Sequence, residues 1–219
     1  MKMREIKKLK GIFIYLPEDR DKVMWGDAVL LLYAYIRRCN RNILKLKYNL
    51  LRRKLNIKEE YLKRAMKTLV KYGYVEIIDN QRGSVIIRVI NKEKARTFLK
   101  VGELPLSLVL EQKYPLSRIV IAELMKWLIE RKKKMSPISI GKPLIKSPEP
   151  EGTTIEIYAM NSFFKKYTGY SRITVWRTLK ELVRINAIST EVVTKRKGGR
   201  YKSARVITVS YTHLRAHET

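Results

Sequence analysis

The chain has 219 residues, with 48 Lys and Arg against 20 Asp and Glu, a net charge of +28 and a sequence pI near 10.2. That excess is far beyond what solubility requires and points to a polyanion, most simply nucleic acid, whose condensed counterions are released as each phosphate is neutralised. A single cysteine, Cys39, excludes an internal disulfide framework and an all-cysteine zinc site, and a hydrophobic content of 45% argues against a disordered chain.

The N-terminus, MKMREIKKLKGIFIYLP, starts basic like a secretory signal. Its apolar stretch is short, ends in Pro17 and lacks a small-residue cleavage site, so residues 1–26 read as a basic arm and strand. The longest apolar run, Ala28 to Ile36, is too short to cross a bilayer. No membrane partner is expected, and the default location is cytoplasmic and nucleoid-associated. Abundant Lys, Ile and Tyr, with Gln only at 81 and 112, is a bias of proteins from hot environments and of AT-rich genomes.

Asp27 to Cys39 predicts a helix capped by Asp27, and ILKLK a strand. In YNLLRRKLNIKEEYLKRAMKTLVKYGYVEIID, Leu51 and Leu55 share a helix face and Asn56 marks a sharp turn. Leu62, Met66 and Leu69 then recur at helical spacing, and Gly73 ends that helix where left-handed geometry is cheap. Strands YVEIID and SVIIRVI meet around Asn80 to Gly83. Residues 91–116 read as a connector, with ELPLSLVLEQKYP as a short helix packing two domains together.

The same order then returns. Ser117 is expected to cap a helix through SRIVIAELMKWLIERKKK, and residues 135–154, with four of the seven prolines, form an irregular insertion. A strand, IEIYA, precedes NSFFKKYTGYSRITVWRTLKELVRINAI, where Gly169 is the turn, Ser171 the cap, and Val175, Leu179 and Leu182 the inward stripe. A hairpin follows: STEVVT, a tip of KRKGGRYK, and SARVIT.

Both halves resemble winged helix-turn-helix domains, and GYSRITVWRTLKEL is similar to the turn and recognition helix of bacterial and archaeal regulators in that superfamily. The resemblance covers residues 27–90 and 117–208. It implies an α+β fold of two tandem winged-helix domains, each a helical tri-bundle plus a β-hairpin wing. It also implies a second helix in the DNA major groove and a wing on the backbone or minor groove.

The inward stripe of the second domain leaves Arg172, Ile173, Thr174, Trp176, Arg177 and Lys180 facing out. Arg pairs bidentately with guanine, a hydroxyl suits several bases, and a methyl-bearing side chain touches thymine. Trp176 either packs against a partner or helix, or meets the nucleic acid. Lys195, Arg196, Lys197, Arg200 and Lys202 surround Gly198 and Gly199 at the wing tip, where glycines bring backbone close to phosphate. In the first domain Glu59 and Glu60 would repel phosphate, while Lys63, Arg64 and Lys67 would track it and Arg82 is the one basic residue at the wing tip. That domain reads equally as a second DNA reader or as a dimerisation or docking module.

The expected partner is therefore double-stranded DNA, with a homodimer as the further assembly and any small-molecule effector unspecified. The leading function is a sequence-specific transcription regulator. The alternatives are a replication initiator of a plasmid or virus and, from another class, a protein–protein assembly module built of winged helices. No enzyme, cofactor or metal is expected: there is no Gly-Lys-Ser/Thr phosphate loop and no two-metal carboxylate spacing.

Both histidines, His213 and His217, lie in the last eleven residues, VSYTHLRAHET. Val209 to Thr219 resembles, letter for letter, the translation of a common transposon-based sequencing adapter, whose two preceding bases also complete a codon for Thr208. On that resemblance the tail is non-native, the native segment has no histidine, and the net charge is unchanged because Arg215 and Glu218 cancel. A strand continuing through Val209 to Tyr211 would then be adapter with a β-compatible pattern.

Overall fold

In the computed structural model the apolar run 28–36 becomes the centre of a core. Helix α1 (Asp27–Arg38) buries Val29 through Ala34 together with Ile36, so it is apolar around most of its girth rather than along one stripe. The described residues are 10–16, 26–90, 97–132, 144–145, 154–159, 161–197 and 200–210. The chain divides into two compact units, Met1–Leu116 and Ser117–Thr219.

In the first unit α1 packs on β1 (Ile12–Leu16) and on α3 (Glu59–Lys71). Strand β2 (Ile43–Lys47) buries Leu44 and Leu46 on alternate positions, as period-two patterning requires. Helix α2 (Tyr48–Leu55) buries Leu51 and Leu55, and α3 buries Leu62, Ala65, Met66 and Leu69. Each fully buried leucine contributes about 1.5–3 kcal/mol relative to exposure. Strands β3 (Val75–Gln81) and β4 (Ser84–Val89) complete an antiparallel sheet of order β2-β4-β3. The span read as a connector also belongs to this unit. Strand β5 (Thr97–Val101) pairs with β1, and α4 (Glu103–Leu110) is tied to the α2–α3 turn by Asn56 Nδ2 donating to the Leu110 carbonyl.

The second unit contains α5 (Leu116–Lys132, from its second residue), β6 (Leu144–Ile145), β7 (Thr154–Ala159), α6 (Asn161–Thr168), α7 (Arg172–Arg184), β8 (Ile188–Lys197) and β9 (Arg200–Ser210). Its antiparallel sheet runs β6-β7-β9-β8, so the three strands β7, β9 and β8 repeat the order of β2, β4 and β3. Val120, Ile121, Leu124, Phe164, Val175, Leu179 and Leu182 are buried. Arg118 is buried too and pairs with Glu181 at 3.2 Å, joining α5 to α7.

From α2 to the start of β3 the two units match position by position. Helices α2 and α6 have eight residues each and α3 and α7 thirteen, and over this stretch each counterpart lies 113 residues on: 48 and 161, 59 and 172, 75 and 188. The turns match as well, with their residue types exchanged. Asn56 (φ 50°) corresponds to Gly169 (φ 72°), and Gly73 (φ 68°) to Asn186 (φ 57°), all four left-handed. After α3 the Tyr74 N–H donates to the Leu69 carbonyl and Gly73 to Val70; after α7, Ala187 donates to Leu182 and Asn186 to Val183. Gly and Asn are the two residues that close such a helix end most cheaply.

Three local expectations need correction. Gly26, not Asp27, is the N-cap of α1; Asp27 enters the first turn and its carboxylate accepts from the Leu116 N–H at 3.1 Å. Helix α5 begins at Leu116, so Ser117 is not its cap. Ser117 is buried, and its hydroxyl accepts from Thr178 Oγ1 at 3.2 Å. The second hairpin is strand almost to its end: Lys195 to Lys197 and Arg200 to Lys202 sit in the ladder rather than in an open tip. Gly198 and Gly199 lie outside the described residues, as do 211–219 and most of the insertion expected over 135–154; Leu144–Ile145 of that insertion pairs with β7. Strand β9 continues through Val209 and Ser210, opposite Ile155 and Thr154.

Candidate nucleic-acid interface

Helix α7 starts cleanly because Ser171 is extended and its hydroxyl accepts from the Thr174 N–H at 3.1 Å. Losing such a cap costs about 1 kcal/mol. No acidic residue stands in the first turn, so the helix's own residues do not offset the positive end of its dipole. Arg172, Arg177 and Lys180 are exposed, and Ile173, at 62%, is among the most exposed large apolar side chains. Thr174 is half-buried with its hydroxyl 2.9 Å from that of Ser171, so it serves the cap as well as the surface. Trp176 is 40% exposed and has an internal partner: the Lys180 ammonium lies 4.2 Å from its ring centroid. At an exposed site that contact is worth about 0.5–1 kcal/mol.

Helix α3 places different chemistry on the same positions. Lys63, Arg64 and Lys67 stand where α7 has Trp176, Arg177 and Lys180, and Glu59 and Glu60 where it has Arg172 and Ile173. Glu59 binds Lys63 at 2.7 Å and Glu60 binds Arg64, both one turn apart. The Glu59 hydrogen bond holds the Lys63 ammonium above its ordinary pKa, and burial raises that of the adjacent Tyr48 phenol. Lys67 is exposed, and Arg82 is exposed at the β3–β4 turn.

The β8–β9 hairpin concentrates charge by register. Lys195 stands opposite Lys202, Lys197 opposite Arg200, and Arg196 opposite Tyr201. Strand alternation assigns positions 195, 197, 200 and 202 to one face of the ribbon and 196 and 201 to the other. Two adjacent rungs on one face are thus cation against cation, an arrangement that destabilises an isolated sheet. No protein-family model matches this chain, and no curated protein matches it. Among the described residues no three His, Cys, Asp or Glu side chains gather as a metal site would require, and no helix is long and apolar enough to cross a membrane.

Sequence reasoning passed over one basic concentration. Lys10, Arg37, Arg38 and Arg41 line a common cleft in the first unit. The signal was present as RRCNRN at the end of α1, but Lys10 joins it only through β1.

Proposed function

We propose that the protein binds double-stranded DNA with two tandem winged-helix units, as a sequence-specific transcription regulator. Helix α7 enters the major groove with its N-terminal half, and the β8–β9 wing lies along the phosphate backbone. The observation that carries this reading is the pair of like-charged rungs, Lys195 with Lys202 and Lys197 with Arg200. Directly opposed cations cost stability in the free protein, and a phosphate set between them turns the cost into binding energy. The matched sheet orders and the 113-residue correspondence of helices and turns support the tandem arrangement. In the first unit, Glu-paired cations on α3 with exposed Tyr61 (49%) and Leu50 (47%) favour a docking or dimerisation role over base reading.

The test is a salt titration of binding to random duplex, followed by selection from a randomised duplex pool. Four backbone contacts give a slope of log K against log salt of about −3.6. A flat slope overturns DNA binding, and a steep slope with no enriched site overturns the regulator.

A further inference from the structure

The second unit ties α7 to its neighbour with directional contacts. Ser117 and Arg118, at the start of α5, are both buried, and each meets a side chain of α7. Thr178 Oγ1 donates to Ser117 Oγ at 3.2 Å, and Arg118 Nη1 donates to Glu181 Oε1 at 3.2 Å. The Arg118 side chain is 6% exposed and makes further interactions as well. A buried ion pair does little for stability, because desolvating both charges offsets their attraction and apolar side chains of similar volume serve as well or better. What apolar packing lacks is direction: bonds of this kind weaken steeply when the helix bearing them turns.

Helix α3 packs without these contacts. At the positions corresponding to Thr178 and Glu181 it has Ala65, which is buried, and Thr68, whose hydroxyl donates to the Arg64 carbonyl of its own helix. Thr178 and Glu181 are three residues apart and so are neighbours on the helix surface; held together, they oppose both rotation and sliding of α7. Ile173, Arg177 and Lys180 follow one another at helical spacing along its exposed face. At about 6 Å from a helix axis, a rotation of about 30° carries a side chain about 3 Å, close to the roughly 3.4 Å step between stacked bases.

We infer that Arg118 and Ser117 are positioning residues for sequence reading: through Glu181 and Thr178 they set the rotation of α7, and so which base edges its exposed face meets. This rests on the proposal that α7 reads duplex in the major groove. Backbone contacts carry no sequence information, so the tie governs discrimination between sequences rather than affinity for duplex in general.

The test uses the full chain with both partners of a contact replaced at once: Arg118→Met with Glu181→Leu and, separately, Ser117→Ala with Thr178→Val. Apolar replacement of both partners is close to neutral for stability. Each pair should lower the ratio of affinity for the selected site to affinity for random duplex by about tenfold, while random-duplex affinity, salt slope and denaturant midpoint stay the same. A purely structural role would move the midpoint and spare the ratio. Glu181→Gln keeps an oxygen for Arg118 to donate to and should keep the ratio; a loss there equal to that of the paired variant puts the effect in the charge and overturns the inference. Retention of the ratio by the folded Arg118 and Glu181 variant also overturns it, and the Ser117 and Thr178 pair decides should that variant fail to fold. A wild-type chain that enriches no site overturns the regulator reading and this inference with it, whereas a wild-type preference that the paired variants keep overturns the inference alone.

Discussion

Helices α3 and α7 share a length, a preceding left-handed turn and the same pattern of buried positions, yet the charges on their outer faces are arranged differently. In α3 the first-turn carboxylates take up the cations one turn later; in α7 the same positions hold Arg172 and Ile173, so no carboxylate precedes Arg177 by a turn. The hairpins diverge in the same direction. Arg88 of β4 pairs with Glu76 of β3 at 2.8 Å, whereas β8 and β9 set cation against cation. One backbone plan therefore supports two different arrangements of charge on its outer surface. The inward stripe decides folding and leaves the outer face free to vary.

The largest test of that contrast reverses Lys195, Lys197, Arg200 and Lys202 to Glu. Duplex affinity at moderate salt should fall by about a hundredfold and the salt slope should flatten by about 3.6, for all sequences alike. The equivalent reversal of Arg82 should change affinity by about twofold at most. Equal losses from both hairpins would dissolve the distinction between the units.

Next in size, Arg172→Ala and Arg177→Ala should each relax discrimination at one base position by about 1–3 kcal/mol, read from selection profiles. Lys63→Ala and Arg64→Ala should leave the profile unchanged. If the α3 substitutions relax the preference as much, both helices read bases and the first unit is not a docking module.

Stability separates the units in the same way. Glu181→Ala removes the carboxylate paired with the buried Arg118 and should cost about 2 kcal/mol in denaturant unfolding. Its counterpart Thr68→Ala loses only a hydroxyl bond to the Arg64 carbonyl and should cost about 0.5 kcal/mol. The caps give a matched pair of smaller effects. Ser171→Ala should cost about 1 kcal/mol, and Lys58→Ser, which installs a cap where α3 has none, should gain up to about 1 kcal/mol.

The smallest effect is a pH dependence. Tyr48 and Lys63 both bind their protons more tightly when folded, through burial and the Glu59 hydrogen bond respectively. Their contribution is complete below the ordinary values of 10.0 and 10.5 and is lost as pH rises through the higher folded values. The first unit should lose thermal stability above that range, and Glu59→Gln should reduce the part due to Lys63.

Much of the local plan was legible because it rests on short-range physics. Leu51 with Leu55, Leu62 with Met66 and Leu69, and Val175 with Leu179 and Leu182 are buried as their spacing requires. Asn56, Gly73 and Gly169 are left-handed, and Ser171 caps its helix. Each of those outcomes depends on residues within about one turn of each other. The errors share a different cause. Local spacing makes Asp27 and Ser117 caps of their own helices, but their partners, Leu116 and Thr178, lie far away in sequence. KRKGGRYK reads as a tip because Gly198 and Gly199 let a hairpin turn tightly, whereas only strand pairing reveals which positions oppose one another.

The sequence by itself determined the helical and extended segments, the apolar stripes, the turn residues and the charge surplus, because periodicity, capping and left-handed geometry act within a few residues. Only the tertiary structure decided that Arg118 meets Glu181, which positions of β8 and β9 stand opposite one another, and that Lys10 shares a cleft with Arg37, Arg38 and Arg41. Those outcomes belong to register and packing between segments, which no local spacing encodes.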